Sequence, residues 1–241
     1  MSPLKAQLRA ELQLLLRNGE QLLLTLVIPV LLLVFFGTVD VLPIDAEETA
    51  DFLLPGVIAL AVMSTSMVSL GIATGFERSY QVLKRLGATP LGRGRLIAAK
   101  ALTVFVVEVI QLVVLIPIGL ALGWRPEGSL WLASIAVILA GTSAFAGIGL
   151  TMAGRLRGEI NLAAQNGLYL LLLLLGGMVI PLEELPAPLE AVGRVLPSGA
   201  LSDLMHETLN NAGNNPGLSV VVLATWALAA PAIAARTFRW N

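Results

Sequence analysis

The 241-residue chain has no cysteine, one histidine and two tyrosines, and only 13% of its residues are charged. Without cysteine there is no disulfide and no thiolate metal site, and His206 alone cannot make a histidine cluster. Redox and zinc chemistry are thereby excluded. No GxxxxGK(S/T) phosphate loop occurs, so the chain cannot cradle ATP phosphates in the usual way, and any driving energy comes from a partner or a gradient. HExxH and GxSxG are missing too, which leaves an intramembrane enzyme almost without catalytic groups. The shortage of charge is the most telling absence, because a soluble surface needs about twice this charged fraction. With 56% hydrophobic residues and a mean hydropathy of +0.85, the chain reads as an integral membrane protein.

What is present is aliphatic and comes in long runs. A helix of about 20 residues crosses about 30 Å of hydrocarbon. Runs of that kind fall at roughly 22–39, 53–74, 97–122, 130–152, 161–181 and 217–235. The expected fold is all-α, a single domain over 1–241 with six transmembrane helices, and the alternation of a barrel is missing. Over residues 1–21, Leu4, Leu8, Leu12, Leu15 and Leu16 share one helical face while Lys5, Arg9, Glu11 and Gln13 lie elsewhere, the pattern of an interfacial helix. Asn18-Gly19 then breaks it from the first span. The run 22–39 is too long for a signal-peptide core and no small-x-small cleavage site precedes Asp40, so it is expected to stay as a span.

Lys and Arg are retained on the cytoplasmic side of a membrane. If the amino terminus, 75–100, 153–160 and the carboxyl tail share one side, that side holds thirteen Lys or Arg, and the other holds two, Arg125 and Arg194. Acids run the opposite way, with Asp40, Asp45, Glu47, Glu48, Asp51, Glu127, Glu183, Glu184, Glu190, Asp203 and Glu207 outside. Both termini of this multi-pass chain are therefore expected in the cytoplasm. The aliphatic composition and compact loops suit a bacterial plasma membrane.

One cytoplasmic connector is richer than topology requires. In "GFERSYQVLKRLGATPLGRGRLIAAK", residues 75–100, Tyr80, Leu83 and Leu86 fall on one face with Arg78, Lys84 and Arg85 around them, and Gly87 sits where a helix would stop. A short amphipathic helix of this kind can dock in a groove of a partner; a basic loop that only fixes topology and touches anionic lipid is the plainer reading. The run "FERSYQVLKRLGATPLGRGRLIAAKAL" resembles the cytoplasmic loop of ABC-2 type transporter permeases. "GGMVIPLEELPAPLEAVGRVLPSGALSDLMHETL", 176–209, is similar to the same family's segment between spans five and six. Where many relatives carry a second acid and a Gly-Thr pair after the Glu-Arg, this chain has Ser79, Gln81 and Val82. The resemblance implies an export permease whose loop 75–96 holds a coupling helix docked on a separate ABC ATP-binding subunit. Glu77, Arg78, Tyr80, Leu83, Lys84 and Arg85 are then the partner-facing set, with Tyr80 and Leu83 as groove anchors and the charges setting register. The chain itself would hold no cofactor, ATP and Mg being bound by that ATPase. It also implies a second permease subunit, identical or related, and no nucleic-acid partner.

Polar groups inside the spans are the candidates for a translocation path. Glu108 lies mid-span, where a charged acid costs about 2.5–3.5 kcal/mol, with Gln111 one turn on. Either it faces a cavity or it is a neutral acid bonded to another span. Asn161 and Gln165 share a face with Tyr169 at the start of span five and fit a path or interhelical hydrogen bonds equally well. In span four, Ala136, Ala140 and Ala144, and again Ser143, Gly147 and Thr151, make small-residue stripes that pack helices closely, within a subunit or between two. Pro181, Pro186, Pro188 and Pro197 break the helix in 182–216, which is expected to form short extracellular or re-entrant helices. His206 there reads as a surface residue. Few aromatics line the spans, which leans the substrate toward a drug-like molecule or lipid and away from a polysaccharide. A gradient-driven carrier, which would want several intramembrane ionisable groups where only Glu108 is found, is the competing reading.

Overall fold

The structure is a computed structural model describing residues 7–9, 11, 13, 19–39, 49–87, 92–127 and 130–238. Among these, every regular element is helical. In chain order they are α1 (Gly19–Thr38), α2 (Thr49–Met63), a π-helical segment (Ser64–Ser69), α3 (Leu70–Ser79), α4 (Val82–Gly87), α5 (Gly92–Ala121), α6 (Trp131–Ala153) and α7 (Gly158–Leu174). A 3-10 turn (Leu182–Glu184), α8 (Ala187–Val195), α9 (Pro197–Asn210) and α10 (Pro216–Thr237) complete them. Among the described residues four helices are long and apolar enough to cross a membrane: Thr49–Ser79, Arg95–Ala121, Leu132–Ala153 and Pro216–Thr237. α1, apolar over Thr25–Thr38, and α7 are shorter.

The continuous helix Thr49–Ser79 is the axis of the fold. Leu53, Leu54, Val57, Ile58, Leu60, Val62 and Met63 are buried all round it, as a helix apolar on every face must be. α1, α5, α6, α7 and α9 pack against it. Its π segment, rare within α-helices and marked by a wider turn, falls at "STSMVS". Ser64 and Ser66 turn their hydroxyls back onto Ala61 O and Val62 O, so these polar side chains are satisfied without leaving the helix.

α6 and α10 form a close pair. A Cβ on Gly147 would meet the backbone of Ala230 and Pro231, and Ser143 donates to Ala227 O at 2.9 Å. The stripe through Ser143 and Gly147 thus packs helices of one chain, because the absent side chain lets backbones approach where lipid supplies no hydrophobic force. α10 starts on Asn215, whose side chain accepts from Leu218 N, followed by Pro216.

Between α7 and α10 the chain doubles back. Trp226 Nε1 donates to Val195 O at 3.2 Å, and Trp226 lies about 15 Å along α10 from Pro216 at 1.5 Å per residue. A Cβ on Gly141 would strike Leu201, at about the same distance from the start of α6. The turn between α8 and α9 therefore reaches about halfway along both long helices. α9 ends with Asn211 in the left-handed region at φ 54°, where its N–H returns to Glu207 O.

Several expected boundaries move. The second run was expected to stop at 74, yet its helix continues to Ser79, so the stretch 75–79 is helix end and not loop. The fifth was expected to reach 181 but its helix stops at Leu174, where Gly176 packs on Ser198 and Gly177 adopts φ 63°. Of the N-terminal amphipathic stretch, Leu4, Lys5, Leu12, Leu15, Leu16 and Asn18 lie outside the described residues, as do Asp40, Asp45, Glu47, Glu48 and the turn at Pro90.

Candidate functional site: a basic junction, a buried polar layer and an acidic cavity

At the basic end of Thr49–Ser79 the helix breaks at Tyr80–Gln81 and restarts as α4. Gln81 sits at φ 60°, a left-handed conformation that a side chain disfavours, and its carbonyl still accepts from Arg85 N. That turn splits the six candidate residues into two groups. Tyr80 is 70% exposed and stacked on Phe76, and Lys84 and Arg85 are exposed beside it. Leu83, expected to anchor in a partner's groove, is 1% exposed, packed with Leu96 and contacting Leu86 and Phe238 of its own chain. Its place on the apolar face is right, but this chain fills the groove. Glu77 and Arg78 also turn inward: Arg78 donates through Nη2 to Leu156 O, and Glu77 Oε1 accepts from Lys100 Nζ at 2.7 Å. Both lie on the last turn of α3 because the helix runs past the point where hydropathy falls. Ser79 Oγ meanwhile accepts from Gly158 N at 3.1 Å and joins the junction to α7.

Deeper in, the four polar candidates are all buried and form two separate pairings. On α5, Glu108 takes Thr142 Oγ1 at 2.8 and 2.9 Å from its two oxygens. The same hydroxyl lies 2.9 Å from Ile138 O, and it has one proton to give. Whichever acceptor takes that proton, the contact holds Glu108 of α5 against α6. One turn on, Gln111 accepts from Thr65 Oγ1 at 3.1 Å and donates to Thr25 O at 3.0 Å, tying α1 and the π segment to α5. On α7, Asn161 donates to Gly71 O at 2.9 Å, and Gln165 donates to Gly149 O at 3.0 Å. Among the described residues no hydrogen bond joins the α5 pair to the α7 pair.

Three glycines make the α7 pairing possible. A Cβ at Gly71 would lie 2.1 Å from Gln165 Nε2, one at Gly75 would lie 2.4 Å from Asn161 Nδ2, and one at Gly149 would meet Met67 O at 2.6 Å. Gly71 and Gly75 are four residues apart, a small-residue spacing that could have been read from the sequence and was not. Thr65, Thr142, Lys100 and Glu11 were missed as well, since a partner far along the chain leaves no local mark.

At the opposite, acidic end a cavity of about 650 Å³ opens between the start of α2 and α9, lined by Asp51, Phe52, Arg125, Glu183, Asp203 and His206 among others. Its acids already have work in holding loops. Asp51 Oδ1 accepts from Arg125 N, Asp203 accepts from Asn214 N and Ser219 Oγ, and Glu183 accepts from Asn214 Nδ2. His206 is 7% exposed and not the surface residue expected. Its Nδ1 lies 2.7 Å from Ser202 O and its Nε2 2.9 Å from Phe52 O, with the ring against Phe52. Burial holds its pKa below the ordinary histidine value, against the opposing pull of both carbonyls and of Asp203 and Glu183.

Similarity to known proteins agrees with this architecture. The family model described as ABC-2 type transporter matches residues 3–209. A protein of Bacillus subtilis (strain 168), YvfS, named provisionally as a transport permease, is 30% identical over 210 residues, covering 82% of each chain. Long apolar helices, a helix break at the basic end, and a match over most of the length converge: the chain belongs to the ABC-2 type transporter family, as a non-catalytic permease subunit.

Proposed function

We propose that this permease exports a lipophilic or amphipathic molecule, drug-like or lipid, across a bacterial plasma membrane, driven by a separate ATP-binding subunit that engages the Tyr80–Gly87 junction. ABC-2 permeases generally work with such a subunit, and α4 has the form of a docking knob. The observation that carries the reading is the split at this junction. Tyr80, Lys84 and Arg85 are exposed, while Leu83, Glu77 and Arg78 fix the same short segment to the chain's own helices. A knob fastened on one side and bare on the other can transmit a push; a slack topological loop cannot.

In this reading α1 and α7 also cross the membrane, giving six spans with both termini in the cytoplasm, as the thirteen-to-two bias of basic residues supports. The α8–α9 hairpin, reaching about halfway along α6 and α10, dips into the outer half of the bilayer as a re-entrant element. Its irregular backbone there is covered by protein, with Ser202 Oγ on Gly177 O and Trp226 on Val195 O. Two permease subunits, identical or related, assemble with two ATPases. Glu108, Gln111, Asn161 and Gln165 set helix positions beside the path and do not line it, since each is spent on a neighbouring helix.

The test is co-purification with a candidate ABC ATP-binding subunit, scoring complex formation and ATP hydrolysis for wild type and for Lys84→Glu/Arg85→Glu. Loss of the complex with normal membrane insertion is expected. A double variant that assembles and hydrolyses like wild type would return the charge to topology alone.

A further inference from the structure

Lys100 is a buried cation on α5, 7% exposed, and it reaches two carboxylates from two other elements. Its Nζ lies 2.7 Å from Glu77 Oε1 on the last turn of α3, and 3.4 Å from Glu11 Oε1, among the helical residues 7–9, 11 and 13. The two acid side chains are themselves only 21% and 13% exposed. Nearby, Leu83 of α4 packs on Leu96 of α5. The junction is thus closed twice onto α5, once by an apolar contact and once by an ion pair. The amino-terminal helix joins it through Glu11.

We propose that Lys100 is the positioning residue that binds the amino-terminal helix to the junction, so that helix and junction move as one body when the ATPase pushes. This rests on the reading that an ATPase docks at Tyr80–Gly87. α3 receives any displacement of α4 directly, through two turn residues. The amino-terminal helix has no such covalent route, being separated from α3 by the whole of α1 and α2. Its ion pair with Lys100 supplies one. The charge pattern fits a clasp and not a loose surface pair: one cation is shared by two partly buried carboxylates, and removing it leaves both facing each other in a poorly solvated place. Glu77 Oε2, buried and without a partner among the described residues, makes that loss more severe.

The absence of cysteine makes the test direct. Spin labels are placed at Gln13→Cys and Val82→Cys, both exposed positions, in the full-length permease in lipid nanodiscs. Interspin distances are read for the permease alone, then with the co-purified ATPase in its ATP–vanadate state. Four backgrounds are compared: wild type, Lys100→Met, Lys100→Arg and Glu11→Gln. A narrow distribution is expected in wild type and Lys100→Arg, unchanged when vanadate is trapped. Broad distributions are expected in Lys100→Met and Glu11→Gln, with loss of coordinated movement on trapping although the ATPase remains bound. Glu11→Gln is the sharper variant, because it leaves the Glu77–Lys100 pair intact. Narrow distributions in both Lys100→Met and Glu11→Gln would overturn the proposal, as would failure of Lys100→Arg to resemble wild type. Failure of wild type to bind the ATPase would instead remove the docking reading, and with it the role given to Lys100, while the permease-alone distances still report whether the clasp exists.

Discussion

Gln81 is held at φ 60°, with no positive-φ neighbour to share the turn. For a residue with a Cβ the left-handed conformation costs about 1–2 kcal/mol. Glycine would remove that cost and return roughly 0.5–1 kcal/mol as extra freedom of the open chain. Gln81→Gly should therefore stabilise the closed junction by about 0.5–1 kcal/mol, or about two- to fivefold in the closed-to-open ratio. No contact need be lost, since the Gln81 side chain is exposed and the turn's bonds, Gln81 N to Arg78 O and Arg85 N to Gln81 O, are all backbone. Lys84 and Arg85 lie immediately downstream, so limited trypsinolysis in nanodiscs reports the opening. When reclosing is fast, the cleavage rate follows the open population. Gln81→Gly should slow it about two- to fivefold, and Gln81→Val, β-branched in the same backbone, should speed it. Cleavage of Gln81→Gly at or above the wild-type rate would refute the argument. It would mean that residue 81 does not hold this conformation in the folded protein.

Gly71→Ala and Gly75→Ala would each drive a methyl into a buried amide side chain, Gln165 and Asn161, and should cost about 1–3 kcal/mol through forced rotamers and lost hydrogen bonds from α7 to α6 and α3. Lower thermal stability than for Gly167→Ala, where nothing lies within 4 Å, is the check. Glu108→Gln keeps an acceptor for Thr142 Oγ1 and should fold and insert like wild type, whereas Glu108→Lys should not; equal yields of the two would show that Glu108 faces water. His206 has a depressed pKa when folded, so the unfolded state binds its proton more readily than the folded state does. Its contribution to stability is complete above the unfolded pKa and declines as pH falls toward the folded one. Protection of the α9 amides, taken against the intrinsic exchange rate at each pH, should fall between about pH 7 and pH 5.5, the range around an unperturbed histidine, and His206→Gln should flatten that dependence. An equal slope in the variant would assign the effect elsewhere.

The membrane class and the approximate helices could be read from the sequence because apolar runs of this length have few other uses. Their ends could not. Hydropathy drops at Gly75–Glu77, yet the helix goes on to Ser79 because Gly75 receives Asn161 and Ser79 meets Gly158 N, contacts made by residues some eighty positions away. The run "LLLLLGGMVIP" has no drop at Leu174, but the close approach of Ser198 to Gly176 ends the helix there. Glu77 and Arg78 looked like surface charges by composition. Only the partner positions, Lys100 and Leu156, show them as internal fasteners. Asn161 and Gln165 were placed on one face correctly, and the choice between path and hydrogen bonds needed the glycines opposite. Nothing local announces the π turn, since "STSMVS" would be equally at home in an ordinary helix.

That π turn gives the central helix a spare residue. Deleting a residue elsewhere in Thr49–Ser79 would swing everything beyond it by about 100° around the axis and carry Glu77 off Lys100. Deleting one inside Ser64–Ser69 would let the wide turn close to an ordinary one and leave both ends facing as they do now.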